Sequence, residues 1–153
     1  MIRWHPGYHW GIHPKQLLGR VMKISTTVGY AIAALLQLAN HRIDSPLSTS
    51  SIASSTDMPE RYLLQIMKTL KDAGLVVAMR GVKGGYRLAK PIGRISLQDV
   101  CDAIDGPHMP EQMAIQMLNA ASQRVITNAL ADIADDERRH LSGFTLDALK
   151  LGK

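Results

Sequence analysis

The chain has 153 residues, 46% hydrophobic and 20% charged, which suits one compact domain with an appendage and excludes a wholly disordered or fibrous protein. Residues 1–94 carry thirteen Lys and Arg against four Asp and Glu, whereas residues 95–153 carry five against nine. This uneven charge predicts that the first part meets a polyanion, although ordinary solvated lysines are the simpler alternative.

Residues 1–21 are predicted to form an irregular N-terminal extension, because prolines and glycines interrupt them every few positions. His5, His9 and His13 have the four-residue spacing of metal ligands on a helix, but the same prolines and glycines break such a helix. Met22 resembles a second start, which leaves open whether the extension belongs to the native protein.

Three helices are predicted to follow. The first begins at Ser25 or Thr26 and runs to about residue 41, the second is capped by Ser48, and the third begins with Pro59 in its first turn. Apolar residues at spacings of three and four give each of them one buried side.

A β-hairpin is predicted after Gly74, the glycine that ends the third helix. Residues 75–79 are apolar, a basic glycine-rich connection follows, and Tyr86-Arg87-Leu88 resumes strand-like alternation. The glycines around Lys83 also suggest a nucleotide-binding loop, but such a loop leads into a helix and not into a strand.

The remaining chain is predicted to be helical. Ser96 and Asp99 form a capping box for a helix that stops at Gly106. From about residue 110 to residue 140 the apolar stripe is longer than a small domain can cover, which is typical of a dimer interface. For that interface we expect Met113, Met117, Ala121, Val125, Leu130 and Ile133. A short packing helix over residues 144–149 ends the chain.

These elements predict a mainly α fold with a small β-hairpin: a winged helix-turn-helix domain over residues 22–106, then a dimerisation helix and C-terminal packing segment over residues 107–153. In such a domain the third helix enters the major groove of DNA and the wing lies along the backbone or an adjacent minor groove. Arg61 and Gln65, one turn apart, suit guanine and adenine edges, and Tyr62 suits a phosphate or a thymine methyl. Phosphate contacts are predicted for Ser48, Thr49, Ser51, Lys68, Arg80, Lys83 and Arg87.

Several of these segments resemble one family. Glu60-Arg61-Tyr62-Leu63-Leu64-Gln65-Ile66 in the third helix and Arg80-Gly81-Val82-Lys83-Gly84-Gly85-Tyr86-Arg87-Leu88-Ala89 in the wing closely resemble the Rrf2 family of bacterial transcription regulators, as do the start of the first helix and Ile95 to Gly106. The resemblance covers nearly everything after Met22. It implies a homodimeric winged-helix regulator of double-stranded DNA, bound to a palindromic promoter site.

Two departures from that family matter. Many members place three cysteines between the equivalent of Gly106 and the long helix, where they hold an iron–sulfur cluster; here the stretch is Pro107-His108-Met109-Pro110-Glu111. We therefore expect no cluster, no metal and no other cofactor. Leu64 stands where many members carry an acidic residue, so we expect a different target sequence.

The lone Cys101 cannot form an intramolecular disulfide, which favours a reducing cytoplasm, and it is expected to be buried and inert. No apolar run approaches the roughly 18 residues of a membrane helix. No catalytic motif is present, and we expect a non-enzyme.

The sequence thus predicts a regulator, in the first instance a repressor. The alternatives are an interaction module that heterodimerises with or titrates a related regulator or binds another protein, and a regulator with a small ligand between the winged domain and the long helix.

Overall fold

The computed structural model describes residues 24–41, 45–56, 58–81, 84–106 and 118–151. In chain order its elements are α1 (Thr26–Asn40), α2 (Thr49–Thr56), α3 (Glu60–Asp72), β1 (Val76–Met79), β2 (Gly85–Leu88), α4 (Leu97–Ile104) and α5 (Ala120–Gly143), with 3-10 turns at Ile92–Arg94 and Leu146–Leu151. This order confirms the predicted mainly α fold with one small hairpin.

Caps confirm the predicted starts of α1 and α4 and the predicted end of α3, whereas the long helix α5 begins at Ala120, later than the predicted start near residue 110. The Val28 N–H donates to Ser25 Oγ (3.1 Å) at the start of α1. At α4 the Asp99 N–H donates to Ser96 Oγ (3.1 Å) and the Ser96 N–H donates to Asp99 Oδ2 (2.9 Å), so the capping box is complete. Gly74 follows α3 with a φ of 72°, a conformation that an L side chain rarely adopts.

One hydrophobic core joins α1, α3, α4 and the hairpin. Most of its members come from the apolar positions at spacings of three and four along α1 and α3, and α2, the start of β1, α4 and the C-terminal 3-10 turn contribute others. The fully buried side chains in it include Val28, Leu35, Ile52, Leu63, Met67, Leu70, Val76, Ile95, Val100 and Leu146. The core holds α3 by one side only, and its other side is left in solvent.

The hairpin pairs β1 and β2 antiparallel, with Val76 opposite Leu88 and Met79 opposite Gly85. The strands begin at residues 76 and 85, one later and one earlier than the sequence pattern predicts. Val76 is buried and Met79 is exposed, so β1 begins in the core and ends in solvent.

The end of the chain returns to the first domain. After α5, the Leu97 N–H donates to the Phe144 carbonyl (2.8 Å) and the Leu146 N–H donates to the Ile95 carbonyl (2.9 Å). Lys150 Nζ donates to the Ala39 carbonyl at the end of α1 (2.9 Å). The predicted packing segment is therefore a 3-10 turn whose Leu146 completes the core of the winged domain.

Within the described ranges, no helix is both long enough and apolar enough to cross a lipid bilayer.

Candidate nucleic-acid interface

Helix α3 has two contrasting faces. Leu63, Ile66, Met67 and Leu70 are buried against the core. The opposite face exposes a row of side chains at positions i, i+3, i+4 and i+7, namely Arg61, Leu64, Gln65 and Lys68. Arg61 and Gln65, the two residues predicted to read bases, therefore lie on one exposed face. Leu64 lies between them and Lys68 follows them.

Tyr62 connects α3 to α1. Its hydroxyl is hydrogen-bonded to Thr27 Oγ1 (2.6 Å), and its ring meets that of Tyr30 edge to face with centroids 5.9 Å apart. The side chain is half-buried. These contacts hold the first turn of α3 against α1, and with it the backbone of the neighbouring Arg61.

The start of α2 is a cluster of hydroxyl groups. Ser48 caps the helix, because its Oγ accepts the Ser51 N–H (3.2 Å), and it is also hydrogen-bonded to the hydroxyls of Ser50 (3.0 Å) and Ser51 (2.8 Å). Thr49 begins the helix beside them. A helix start that carries several exposed hydroxyl groups suits an anion such as a phosphate. Ser50 belongs to the same cluster, although the sequence analysis omitted it.

The wing is fastened to the start of α2. Leu47 and Tyr86 form an isolated antiparallel bridge in which each N–H donates to the carbonyl of the other at 2.9 Å. A Cβ on Gly85 would lie 2.3 Å from the Leu47 carbonyl oxygen, so only glycine allows the two chains to come this close. The bridge sets the orientation of the wing relative to α2.

Sequence reasoning missed this bridge, although a signal was present. Leu47 precedes the cap residue Ser48, and Ile52 lies four residues into the helix, the spacing of a hydrophobic staple. Ile52 is fully buried and Leu47 packs against the same core. The staple could have placed Leu47 on the core, but not beside Tyr86.

Four cations on α3 and the wing differ from two cations on α5 in whether they form ion pairs. Arg61, Lys68, Arg80 and Arg87 are exposed, and none of them forms an ion pair with a described residue. Arg138 instead lies 3.7 Å from Asp102, and Arg139 pairs with Asp136 on the same helix. Unpaired cations beside a hydroxyl cluster give a surface suited to a polyanion.

Helix α5 leaves part of its apolar stripe uncovered. Val125 and Ile133 are 70% and 61% exposed, and Ile126 and Ala121 are exposed as well. Leu130 is half-buried, because its spacing places it in line with Ala134 and Leu141, on the side that packs towards α4. Four of the six predicted interface residues are described, and three of these four are exposed.

Cys101 lies in a small cavity of about 160 Å³ between α4 and α5. Cys101 was predicted to be buried, but it is only half-buried, because the cavity leaves that side of α4 partly uncovered by α5. Burial and the nearby carboxylates of Asp105, Asp102 and Glu137 raise the pKa of its thiol, which disfavours the thiolate form.

A cysteine-ligated iron–sulfur cluster does not fit these residues. Metal clusters of that kind are held by several thiolates, and the chain has one cysteine whose thiolate is disfavoured. In the part of the chain that the structure describes, no group of three or more His, Cys, Asp or Glu side chains is placed to hold a metal ion.

Some predicted positions lie outside the described residues. They are the wing residue Lys83, the interface residues Met113 and Met117, the histidines at 5, 9 and 13, and the stretch 107–111.

Comparison with known proteins gives a consistent result. A family model described as "Rrf2: Iron-dependent Transcriptional regulator" matches residues 24–150. The transcriptional regulator CymR of Bacillus subtilis is 36% identical over 92 residues, which are 60% of this chain and 67% of CymR. The transcriptional regulator IscR of Vibrio vulnificus is 37% identical over 84 residues, which are 55% of this chain and 50% of IscR. These matches span half to two thirds of the curated relatives.

Solved structures extend the match to most of the chain. The structure of B. subtilis CymR, described as a global cysteine regulator, superposes with a TM-score of 0.65 and 30% identity over 84% of this chain and 95% of that one. The structure of T. potens IscR gives a TM-score of 0.65 and 29% identity over 86% and 89%. The likeness confirms the predicted winged-helix architecture with its long C-terminal helix.

Proposed function

Because the chain belongs to the Rrf2 family of DNA-binding transcriptional regulators, we propose that it is a sequence-specific repressor that binds a palindromic promoter site as a homodimer and needs no iron–sulfur cluster. The named relatives are transcriptional regulators and not enzymes, and we propose the same of this chain.

The observation that carries this proposal is the exposed row on α3. Arg61 and Gln65 lie one turn apart on a helix whose opposite face is fully buried, so their side chains are held outwards by the core. Arginine pairs with guanine O6 and N7 and glutamine pairs with adenine N6 and N7 in the major groove. Leu64 lies between them, exposed by 45%, where an apolar side chain suits a thymine methyl group.

The phosphate backbone is assigned to the residues around that row. We assign Ser48, Thr49 and Ser51 at the start of α2 and Lys68 at the end of the α3 row to phosphate contacts, since hydroxyls and ammonium groups position a protein without reading sequence. Arg80, Lys83 and Arg87 place the wing on the adjacent backbone, and Tyr62 orients α3. The Leu47–Tyr86 bridge supports this division, because it ties the wing to the α2 start.

Dimerisation is assigned to α5. The exposed Val125 and Ile133 support this assignment, because large apolar side chains in a row on one helix are typical of a protein interface. A symmetric pair would use the same face twice and place two α3 helices in successive major grooves about one helical turn apart. We propose residues 22–106 as the DNA-binding domain and residues 107–153 as the dimerisation part, with Leu146 returning to the first.

The absence of a cluster ligand set supports cluster-independent binding. With one cysteine in the chain and its thiol pKa raised, the DNA-binding form is expected in colourless protein without added metal. Repression follows if the bound dimer occupies promoter DNA that other proteins need.

The test is fluorescence anisotropy with DNA from upstream of the protein's own gene. The metal-free full chain is titrated at about 50 and 200 mM salt against this DNA and against a scrambled duplex of equal composition. A dimer that neutralises about 6–10 phosphates should lose on the order of 10³–10⁵ in affinity between the two salt concentrations. Run-off transcription from the same DNA should fall as the protein is added.

Equal binding to the scrambled duplex, or binding that appears only after a cluster is reconstituted, contradicts the proposal. A chain that stays monomeric and ignores DNA would instead support an interaction module that pairs with a related regulator or another protein. Light scattering with and without DNA separates these results.

A further inference from the structure

An apolar cavity lies between the winged domain and its C-terminal packing segment, away from α5. It has a volume of about 370 Å³, against about 160 Å³ for the cavity beside Cys101. Its walls come from the end of α1, from β2 and the chain that follows, and from the C-terminal 3-10 turn. At roughly 30 Å³ per water, this volume equals about 12 waters. It falls within the range of small-molecule sites.

The walls of this cavity are mainly apolar and its cations are few. Leu38, Ala39, Leu88 and Ile92 contribute apolar surface, while Arg87, Lys90 and Lys150 contribute positive charge. None of the described lining residues is an aspartate or a glutamate. An apolar enclosure with a few convergent charged groups is the usual composition of a ligand site.

The three cations have hydrogen-bonding capacity to spare. Lys150 Nζ donates one hydrogen bond to the Ala39 carbonyl (2.9 Å), and Lys90 Nζ lies 3.2 Å from Asp99 Oδ2, a carboxylate outside the cavity lining. An ammonium group has three N–H donors, so each lysine has donors left. Arg87 forms no ion pair with any described residue. The charged side chains among the described lining residues are therefore all cations.

DNA binding accounts for only part of this arrangement. A phosphate backbone requires cations but no apolar enclosure, and Lys150 comes from the segment that packs behind the domain and not from α3 or the wing. Arg87 belongs to both surfaces, since it lies on β2 of the wing and also lines the cavity. A ligand that engages Arg87 competes with a DNA phosphate for the same guanidinium.

We propose that this cavity binds a small carboxylate with an apolar body, such as an aromatic acid, and that its occupancy weakens DNA binding through Arg87. The carboxylate pairs with the cations and the apolar body covers the leucine and isoleucine side chains. The first half of the proposal stands on the cavity alone, whereas the second half rests on the proposed DNA-binding function.

The binding test uses 4-phenylbutyrate as the probe and the full chain without DNA. Two further probes separate charge from apolar contact: 4-phenylbutyramide keeps the apolar body without the charge, and acetate keeps the charge without the body. Calorimetry should detect 4-phenylbutyrate binding, and each of the other probes should bind at least about tenfold more weakly, as expected for losing one charge-assisted hydrogen bond or the buried ring. In ¹H–¹⁵N spectra the shifts should centre on Ala39, Leu88 and Ile92.

Variants locate the site. Lys150→Gln together with Lys90→Gln should lower the affinity for 4-phenylbutyrate by about tenfold or more. Arg94→Gln is the matched control, because Arg94 lies on the neighbouring 3-10 turn but does not line the cavity, and it should bind the probe normally. Ala89→Phe fills the cavity from an exposed lining position and should abolish probe binding, with folding checked by its spectrum.

Three results overturn the proposal. Equal affinity for 4-phenylbutyrate and its amide would show that the cations of the cavity do not bind the carboxylate. Shifts confined to Arg61, Gln65 and Lys68 would show adventitious binding to the exposed row on α3. If saturating 4-phenylbutyrate leaves DNA affinity unchanged, the coupling through Arg87 is wrong. Calorimetry with 4-phenylbutyrate uses no DNA, and anisotropy with promoter DNA uses no 4-phenylbutyrate. Failure of ligand binding is therefore distinguishable from failure of DNA binding.

Discussion

Helices α3 and α5 both carry apolar residues at helical spacing, but the described chain buries most of those of α3 and leaves several of those of α5 exposed. Leu63 and Leu70 are fully buried, whereas Val125 and Ile133 are 70% and 61% exposed. The difference lies in what surrounds each helix, since α3 packs against α1, α2, α4 and β1, whereas α5 packs mainly against α4. An apolar stripe thus shows that a helix needs cover, but not whether its own chain provides it.

The polar faces differ as well. Arg61 and Lys68 on α3 and Arg80 and Arg87 on the wing form no ion pair with a described residue, whereas on α5 the neighbouring Arg138 and Arg139 have carboxylate partners. The winged domain therefore buries most of the apolar face of α3 and leaves these four cations available. Helix α5 does the opposite, which fits one surface for DNA and another for a second copy of the chain.

The largest expected effect tests whether a second copy covers α5. Replacing Val125 and Ile133 together by Glu should weaken dimerisation by about 10³-fold or more. The dimer would then have to bury carboxylates without a cationic partner, which costs about 3–5 kcal/mol. Light scattering should then give the mass of one chain, 16.8 kDa, at concentrations where the wild type is a dimer.

The matched control for that experiment is Ala131→Glu. Ala131 is exposed on α5 but points away from the side that Val125 and Ile133 share, so the variant adds charge without entering the proposed interface. It should remain a dimer. A dimeric double variant, or a monomeric wild type, would break the contrast drawn between the two helices.

Two adjacent leucines on α3 provide the next test. Leu63→Ala removes a fully buried side chain and should lower the free energy of unfolding by about 2–5 kcal/mol. Leu64→Ala removes a side chain that is 45% exposed on the opposite face and should change it by no more than about 0.5 kcal/mol. Urea denaturation measures both. Similar losses for the two variants would mean that the two faces of α3 are not distinct.

The exposed face of α3 can then be divided by function. Arg61→Ala should cost about 1–3 kcal/mol of binding and relax the preference at one base pair in each half-site. Lys68→Ala should weaken all duplexes alike and reduce the slope of affinity against salt. Anisotropy with a set of singly substituted duplexes separates the two effects. If Arg61→Ala leaves base preference intact, the assignment of α3 to the major groove is wrong.

The sequence predicted local features well and contacts between distant segments poorly. Ser25, Ser96 and Asp99 cap their helices as expected, because a cap depends on residues three positions apart. The Leu47–Tyr86 bridge and the contact of Leu146 with Ile95 were not predictable in this way, since each joins segments far apart in the chain. Leu130 shows the same limit. Its spacing places it on an apolar stripe, but the spacing does not show whether it packs towards α4 or towards a second copy of the chain.

The smallest expected effect concerns Asp99, at the start of the helix that packs against both the core and α5. Burial alone would raise the pKa of this carboxyl, but the Ser96 N–H, Lys90 and the Ser96 hydroxyl together lower it below its usual value. Its stabilising contribution is therefore complete above the unfolded pKa near 4 and is lost as the pH falls through the lower folded value.

Asp99→Asn should accordingly lower the free energy of unfolding by about 0.5–1 kcal/mol at pH 7, because the cap loses its charge and the partly exposed Lys90 pair adds little. Asp132→Asn, on the exposed side of α5, is the control and should change it by less than about 0.5 kcal/mol. Urea denaturation at about pH 7 and pH 3 should show the Asp99→Asn difference shrinking at the lower pH, because the carboxyl of the unfolded wild type is protonated below its pKa near 4 and the charged cap then stabilises the fold less. A difference that is equal at both values would assign the effect to packing around α4 and not to the charge of Asp99.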